Sequence, residues 1–517
     1  MFRKISILFI ILTSMTVCAS AQLIPQYTYN ALLFSSQYYD GTARSLAMGN
    51  AMTALGGDLG ALSYNPAASG VYRYSEITIT PSLYSNITNT SMLDNSTRNN
   101  RSRLSLSNLG WVGSFDTGMT RGLLNFNLAI TANQTNNLAY RSYGRGIQGS
   151  SSFLGSLAAG MPDIDGNDMT MGEENPDRPY FYSDASWSQI LAWNAGMMDS
   201  IVNGNGFVGA TENITDDGRF VIPGNLTQSY YKERTGYVED VVINASGNIS
   251  NILFFGVSLT FQSIWANEYT MISEEAEDPS LFQTGFTDFT REYRLTTSGF
   301  GVGVDVGFIL HPVAGLTIGG SISTPTWMFL NETWIENMYG NTGQYGAAEV
   351  YSPTASNSYR VTSPLRWNIG IGYTIGQYLA IGVDYERTDY SNIKIADDRG
   401  RTESYAYENK YINAFYGSVN NFRAGIEAWP IPQLAIRLGY NYYGSPETGI
   451  SNHRHYASAG LGLRTASGFF IDAAYQQQCN AGTLDFLLYD SYDDTTAPMV
   501  KESFRNWRLL LTLGWRF

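Results

Sequence analysis

The end of the chain limits the fold more than any other stretch. Trp507, Leu509, Leu511, Leu513, Trp515 and Phe517 alternate with Asn506, Arg508, Leu510, Thr512, Gly514 and Arg516. Successive side chains of a strand point to opposite faces, so this segment has one greasy face and one mostly polar face. A soluble sandwich strand shows the same period over about half the length. Here aromatics stand at both ends of the apolar row, as the interfacial girdles of a membrane barrel require. The pattern recurs in Leu124, Phe126, Leu128, Ile130; in Phe255, Val257, Leu259, Phe261; in Val302, Val304, Val306, Phe308; and in Leu379, Ile381, Val383, Tyr385. Between them lie polar or tiny residues such as Asn125, Asn127, Ser258, Thr260, Gly303, Asp305, Gly382 and Asp384.

Candidate strands lie near 72–87, 102–114, 122–139, 235–249, 252–266, 291–310, 314–326, 357–375, 377–393, 412–429, 433–446, 452–466, 468–482 and 503–517. They number 14, an even count that puts both ends of a closed barrel on one side. Every second connection is short, as at His311-Pro312-Val313, Gly376, Pro430-Ile431-Pro432 and Ser467. The others are longer, the extremes being roughly 140–234, 267–290 and 327–356. Short periplasmic turns with long outer loops are the asymmetry of outer-membrane barrels. The fold class expected is all-β: a 14-stranded antiparallel transmembrane β-barrel over 72–517 with a long extracellular insertion at about 140–234. Its expected location is the bacterial outer membrane.

Composition points the same way. Charged residues make up 15% of the chain, against roughly 25% in soluble domains. Met1 to Ala21 carries Arg3 and Lys4, the apolar run Ile5 to Leu12, then Ala19-Ser20-Ala21, so residues 1–21 read as a secretory signal peptide and Gln22 as the mature start. Met15-Thr16-Val17 before Cys18 lacks the small residue that lipoprotein processing wants, which argues against lipidation. Cys479 is then the one mature thiol, so no internal disulfide forms. Without Arg3 and Lys4, 29 basic residues face 45 acidic ones, a net charge of −16. Such a balance disfavours nucleic acid. No later stretch approaches the ~18 consecutive apolar residues of a transmembrane helix.

Residues 22–71 read differently. Gly41-Thr42-Ala43-Arg44-Ser45-Leu46-Ala47-Met48-Gly49-Asn50-Ala51, Leu55-Gly56-Gly57-Asp58 and Tyr64-Asn65-Pro66-Ala67-Ala68 are rich in small residues and poor in charge. A solvated tail would carry more charge, so this stretch is expected to fold into the lumen as a hatch. Pro66 fixes its own torsion and lacks an N–H, which suits a hatch element that breaks regular pairing; Asn65-Pro66 could also be a turn into the first strand.

At these segments the chain resembles the FadL-type long-chain fatty acid transporters of bacterial outer membranes. The resemblance rests on Ala43-Arg44 to Gly49-Asn50-Ala51, on Tyr64-Asn65-Pro66-Ala67, and on Ser363-Pro364-Leu365-Arg366-Trp367-Asn368-Ile369-Gly370. It continues through Arg437-Leu438-Gly439-Tyr440-Asn441-Tyr442 and Gly460-Leu461-Gly462-Leu463-Arg464. A terminal Phe517 also resembles the assembly signal of outer-membrane barrels. The resemblance implies a 14-stranded barrel with a hatch motif at Asn65, Pro66 and Ala67, in agreement with the strand count. It further implies that the hatch shifts to open an interior pocket and that a gap in the wall releases cargo sideways into the bilayer. The insertion is longer than this resemblance implies, so loop features are not carried over.

Within the insertion, Trp187, Ile190, Leu191, Asn194, Met197, Met198 and Ile201 fall at helical spacing after Tyr180, Phe181 and Tyr182, with Asp184 or Ser186 as cap. Met adapts its shape to varied apolar partners, so Trp187, Ile190, Leu191, Met197, Met198 and Ile201 could form a hydrophobic capture stripe. The buried face of a helix looks the same, and both readings stand.

Parity puts Arg366, Asp384, Glu386, Arg423, Glu427, Arg437, Arg464, Asp472 and Arg508 in the lumen. A hairpin about Gly376 sets Arg366 opposite Glu386, and the 430–432 turn brings Glu427 near Arg437. Such pairs neutralise each other and grip the hatch. Arg423 has no evident cross-strand partner and is the candidate for a carboxylate headgroup.

Other signals fail. Gly299, Gly301, Gly303 and Gly307 mimic a nucleotide loop but alternate within a strand with no helix after them. His453 and His455 lack a third metal ligand at recognisable spacing. Glu274, Glu275, Glu277, Asp278, Asp493 and Asp494 fall in outer loops without a calcium-loop pattern. With no Gly-x-Ser-x-Gly motif and only 3 His, the chain does not read as an enzyme, and no metal or cofactor is expected. The expected activity is outer-membrane transport of hydrophobic compounds such as long-chain fatty acids, by capture at outer loops, passage past the hatch and lateral release into the membrane. The partners expected are a hydrophobic small molecule and outer-membrane lipid, with the barrel acting as a monomer. The alternatives are a FadL-like barrel serving as a docking or shuttle component of a protein secretion system, and a surface adhesin using the long loops.

Overall fold

A computed structural model describes residues 26–161, 163–171, 184–201, 206–492 and 495–517. The expected signal peptide, Cys18, Tyr180, Phe181, Tyr182, Asp493 and Asp494 lie outside the described residues. A closed wall of 14 antiparallel strands surrounds an N-terminal region. The strands are β1 (Glu76–Met92), β2 (Asn95–Asp116), β3 (Leu123–Asn137, continued by Tyr140–Gln148), β4 (Leu226–Ile249) and β5 (Leu253–Ala276). Next come β6 (Phe286–Val313), β7 (Leu316–Ser323, then Trp327–Thr342) and β8 (Gly346–Tyr351, Ala355–Thr362 and Arg366–Ile375). The wall continues with β9 (Leu379–Asp389, then Lys394–Asp397), β10 (Ser418–Ile431), β11 (Leu434–Tyr443) and β12 (Arg454–Arg464). It ends with β13 (Phe469–Gln478, then Gly482–Leu487) and β14 (Met499–Arg516). Pairing of β14 with β1, from Arg516 opposite Glu76 to Val500 opposite Met92, closes the ring. A closed sheet leaves no free edge, which a hydrocarbon layer demands.

Outward residues such as Ile369, Ile371, Val383, Leu438, Leu461 and Leu511 are exposed and apolar, while their strand neighbours Asn368, Asp384 and Thr512 are buried inside. Trp367, Tyr385, Phe422 and Tyr442 form an aromatic row across β8 to β11, with successive ring centroids 5.3, 5.2 and 6.2 Å apart. Trp515 and Phe517 mark the periplasmic end of the belt. The architecture is that of an outer-membrane multi-pass barrel.

Four expected boundaries and one turn are corrected. The loops at 267–290 and 327–356 are mostly strand, because β5 has 24 residues, β6 has 28 and the upper part of β7 has 16. Only ~9–11 residues are needed to cross the membrane, so the tops of these strands rise above it, where no bilayer imposes an apolar alternation. The insertion is likewise reduced to 149–225 by the tops of β3 and β4. The expected strand at 412–429 begins at Ser418, because helix α5 (Ala406–Phe415) takes its first residues. The turn after β8 contains Gly376, Gln377 and Tyr378, which pairs Arg366 with Thr388 and Asn368 with Glu386.

The N-terminal segment runs inside the lumen through helices α1 (Gln26–Ser35) and α2 (Ala43–Ala47) to Tyr72. Its backbone lies flush against inward glycines of the wall. A methyl group on Gly425 of β10 would collide with the Met48 carbonyl, and one on Gly256 of β5 with the Pro66 carbonyl. Polar wall residues then bond the hatch backbone: Asn441 Nδ2 donates to Gly49 O at 2.6 Å, Asn244 Nδ2 to Pro66 O at 2.9 Å and Asn133 Nδ2 to Leu59 O at 3.1 Å. Thr53 N donates to Asp384 Oδ2 at 2.9 Å.

The wall is interrupted in two places. Pairing of β2 with β3 stops at Asn108 opposite Asn133. Above that level β3 bends at Leu138–Ala139, and its upper part crosses toward the tops of β1 and β2, where Ser142 Oγ meets Thr90 Oγ1 at 2.8 Å. One edge of β2 above Asn108 is left without a paired strand. Arg103 spans the break, donating to Gly236 O, with its guanidinium 5.4 Å from the Tyr237 ring. The second interruption lies at one height in β7, β8 and β9, at 324–326, 363–365 and 390–393.

Candidate functional site

A cavity of about 140 Å³ lies above the hatch. Helix α1 contributes Tyr29, Leu32 and Leu33, and the wall contributes Tyr84, Tyr443, Leu484 and Phe504. Leu138, Ala139 and Tyr140 bring the β3 bend into its lining, so the cavity abuts the gap beside β2. Below it, Met48, Met52, Leu59, Leu62 and Tyr64 are fully buried and pack together in the hatch.

Polar groups share the lining, among them Asn86, Asn136, Asn137, Asn452 and Asn506. Arg234 is held by the Tyr29 hydroxyl at 2.8 Å and by Glu268 at 3.8 Å. Arg454, by contrast, is met by rings: its guanidinium carbon lies 4.9 Å from the Tyr38 centroid and 5.2 Å from that of Phe504. Glu447, in the connection between β11 and β12, also lines the cavity. Burial pushes its carboxyl above the usual range, against a hydrogen bond from Asn452 and the nearby Arg454 charge, which both act the other way. The result is a pocket with aromatic walls, one guanidinium without an ion pair among the described residues, and a neighbouring carboxyl that protonates readily.

Asn65, Pro66 and Ala67 are buried inside the hatch. Asn65 caps a short 3₁₀ turn, Pro66–Val71: its Oδ1 accepts from Ala67 N at 3.0 Å and its Nδ2 donates to Thr53 O at 2.6 Å. Pro66 takes the first helical position, where a missing N–H costs nothing.

Arg423 does have a carboxylate. Glu386 Oε2 lies 3.1 Å from its Nη1, Asn368 Oδ1 accepts from Nη2 at 2.7 Å, and the Tyr64 ring lies 4.9 Å away. The expected Arg366–Glu386 opposition is therefore replaced by Arg423–Glu386, two residues off in register. Glu427 and Arg437 do stand opposite and meet at 2.7 Å, with Asp472 closing on Arg437 at 2.6 Å. Arg508 pairs with Asp40 of the hatch, and Arg464 stacks on Trp429 at 6.0 Å.

In the extracellular cap, Ser186 caps helix α4 (Trp187–Asn194) after helix α3 (Phe153–Ala159). The helix stops at Gly196, whose φ of 69° favours glycine, so Met197, Met198 and Ile201 lie beyond it. Ile190, Leu191, Met197 and Met198 are buried in the cap core, packed with Phe153, Phe286 and Phe289. Trp187 and Ile201 are half-buried, with Trp187 beside Trp334 at 6.5 Å. Glu274, expected in an outer loop, is a buried anchor of this cap, accepting from Phe153 N at 2.8 Å and Gln228 Nε2 at 2.7 Å. The rings of His453 and His455 meet edge to face at 4.9 Å, and no group of three metal-ligating residues forms among the described residues.

The sequence reading missed Arg454 and the β3 bend. Arg454 shares the inward parity of Arg464, and its cross-strand neighbour is Tyr443, so the same rule that selected Arg423 could have found it. The bend at Leu138–Ala139 carries no proline or glycine and leaves no local mark.

No protein-family model matches the chain, and no curated protein matches it. Solved structures do. A Pseudomonas aeruginosa FadL homologue superposes with a TM-score of 0.54 at 14% identity, over 92% of this chain and 98% of that one. The P. putida toluene transporter TodX gives a TM-score of 0.53 at 12% identity, over 93% and 99%. At such identities the likeness is one of fold, and the fold is that of the FadL-type barrels.

Proposed function

We propose that this barrel carries hydrophobic molecules across the outer membrane by way of the cavity above the hatch, with lateral exit through the gap between β2 and β3. The carrying observation is the contact between that cavity and the β3 bend, above the packed hatch. A hydrophobic molecule gains nothing from a water-filled pore, so an aromatic pocket opening sideways toward the membrane suits it. The lumen-facing side of β2 is half-exposed from Thr97 to Ser105, whereas lumen-facing residues on the paired part, such as Asn108, are buried. Leu104 and Leu106 flank that opening on the membrane side.

Size sets the cargo. A cavity of about 140 Å³ is of the order that holds one benzene-sized ring, so a small lipophile with a polar or anionic head fits without rearrangement. The solved relative that transports toluene supports this class. A long-chain fatty acid would need α1 to withdraw, with Arg454 as the nearest cation for its carboxylate. Capture from outside would begin at the half-buried cap rim around Trp187 and Ile201, and Ile190, Leu191, Met197 and Met198 would join it only on opening of the cap.

The test is equilibrium binding of a solvatochromic aromatic probe to the full chain in detergent, with Leu33→Trp filling the cavity. Saturable binding that weakens at least roughly tenfold, about 1.4 kcal/mol, in Leu33→Trp supports the reading. Absence of saturable binding in the native chain, or unchanged binding in the filled variant, overturns it and favours protein docking.

A further inference from the structure

The second interruption of the wall is a feature that transport through the β3 gap does not use. Ser323 pairs opposite Arg366 and Trp327 opposite Thr362, leaving 324–326 facing 363–365. On the other flank, Arg366 pairs with Thr388 and Thr362 with Lys394, so 363–365 face the longer stretch 389–393. Tyr390 and Ile393 turn inward and are buried beside α1, which hollows the outer surface. Pro325 and Pro364, which have no N–H to pair, occupy the break. The resulting outward groove has about 370 Å³ of space.

Its height and chemistry are specific. Trp367 of the outer aromatic row stands opposite Arg387, which is exposed, donates to Asn420 Oδ1 at 3.4 Å and lies close enough to the Asp389 carboxylate to attract it. Lys394 is exposed and makes no ion pair or hydrogen bond among the described residues. Arg360, one pair further out, stacks on outward Phe329 at 5.0 Å and donates to Asp398 O at 2.5 Å. Two acids lie near. Asp389 caps its own turn, accepting from Ser391 Oγ at 2.7 Å, and Asp398 is exposed. In the groove itself two cations, Arg387 and Lys394, outweigh one carboxylate, Asp389, beside an apolar floor of Pro325, Leu365 and Trp367.

We propose that this groove seats a phosphorylated glycolipid of the outer leaflet, its phosphate held between Arg387 and Lys394 and its first methylenes on Leu365 and Trp367. The groove opens outward at the end of the belt that carries the cap, so the lipid it meets belongs to the outer leaflet. Cations at the interface bind anionic headgroups by charge, and a recess with an apolar floor adds the shape that a flat belt lacks. The proposal stands on the wall geometry alone and is independent of the cargo.

Native mass spectrometry of the full chain, titrated with bis-phosphorylated lipid A, tests it. The native chain retains the lipid, and Arg387→Gln with Lys394→Gln lowers its apparent affinity roughly tenfold or more. Arg505→Gln, another exposed outward cation on β14, leaves it unchanged. Heat-modifiable migration in gels confirms that each variant is folded. Equal retention by the double variant overturns the proposal, as does equal retention of dephosphorylated lipid A. Displacement by equimolar phosphatidylglycerol also overturns it, because the groove would then read charge without the glycolipid.

Discussion

Arg44 of the hatch and Glu427 of β10 meet at 2.8 Å, with the carboxylate wholly buried and also held by Arg437 at 2.7 Å. This shared carboxylate ties plug to wall. Without Arg44, Arg437 alone faces both Glu427 and Asp472, so the buried cluster is left one positive charge short, at a cost of up to about 3–5 kcal/mol. Arg44→Ala is expected to loosen the hatch while the ring of strands stays closed. Single-channel recording in planar bilayers should show an ion leak absent from the native chain; a silent Arg44→Ala channel refutes the tether.

The glycine seat makes a second expectation. A methyl at position 425 collides with the Met48 carbonyl, which is backbone and cannot swing aside. Gly425→Ala should raise the same leak without altering heat-modifiable migration, whereas Ala424→Gly on the outward side should do nothing.

Leu104 and Leu106 border the gap beside β2. An arginine on the membrane face costs about 2–4 kcal/mol at mid-depth and less near the interface. Leu104→Arg with Leu106→Arg is expected to slow probe release into liposomes roughly tenfold while equilibrium binding holds. A matching loss of binding would show that the gap belongs to the pocket and is not an exit.

Glu447 supplies a pH dependence. Its folded carboxyl titrates above the free-glutamate range, so its charge is lost at a higher pH than in the unfolded chain. As pH falls from neutral toward that range, a negative charge beside Arg454 disappears. Binding of an alkyl sulfonate probe, whose head does not titrate there, should tighten on acidification, and Glu447→Gln should bind tightly and independently of pH. Because the folded pKa is raised, the native loop is also stabilised as pH falls through that pKa, and the gain levels off below the free-glutamate value.

Met197 is fully buried in the cap core. Met197→Glu should open the cap to limited proteolysis, whereas Trp187→Ala, at the half-buried rim, should leave protease resistance intact and slow only the association of probe.

The transmembrane strands were legible because each must alternate to satisfy lipid on one side and hatch on the other. Leu379 to Tyr385 shows this as plainly as the C-terminal strand. Above the membrane that demand lapses, and the tops of β5, β6 and β7 read as loop. The hatch was legible from its small residues, which fit against the wall glycines, but the partner of Arg423 was not. Arg423 faces β9 across the long connection 390–417, whose register no turn signal sets, and it meets Glu386 diagonally, since Asp384 stands directly opposite. The β3 bend is set by distant packing over β1 and β2, and no residue at 138 or 139 announces it.

The hatch also constrains how the molecule is made. It precedes β1 in the chain, yet its backbone rests on β5, on β10 and on β11, strands that come later in the sequence. The final seam is β14 against β1. The segment that leads the strands is thus seated on strands that follow it, and in the finished molecule the closed ring surrounds it.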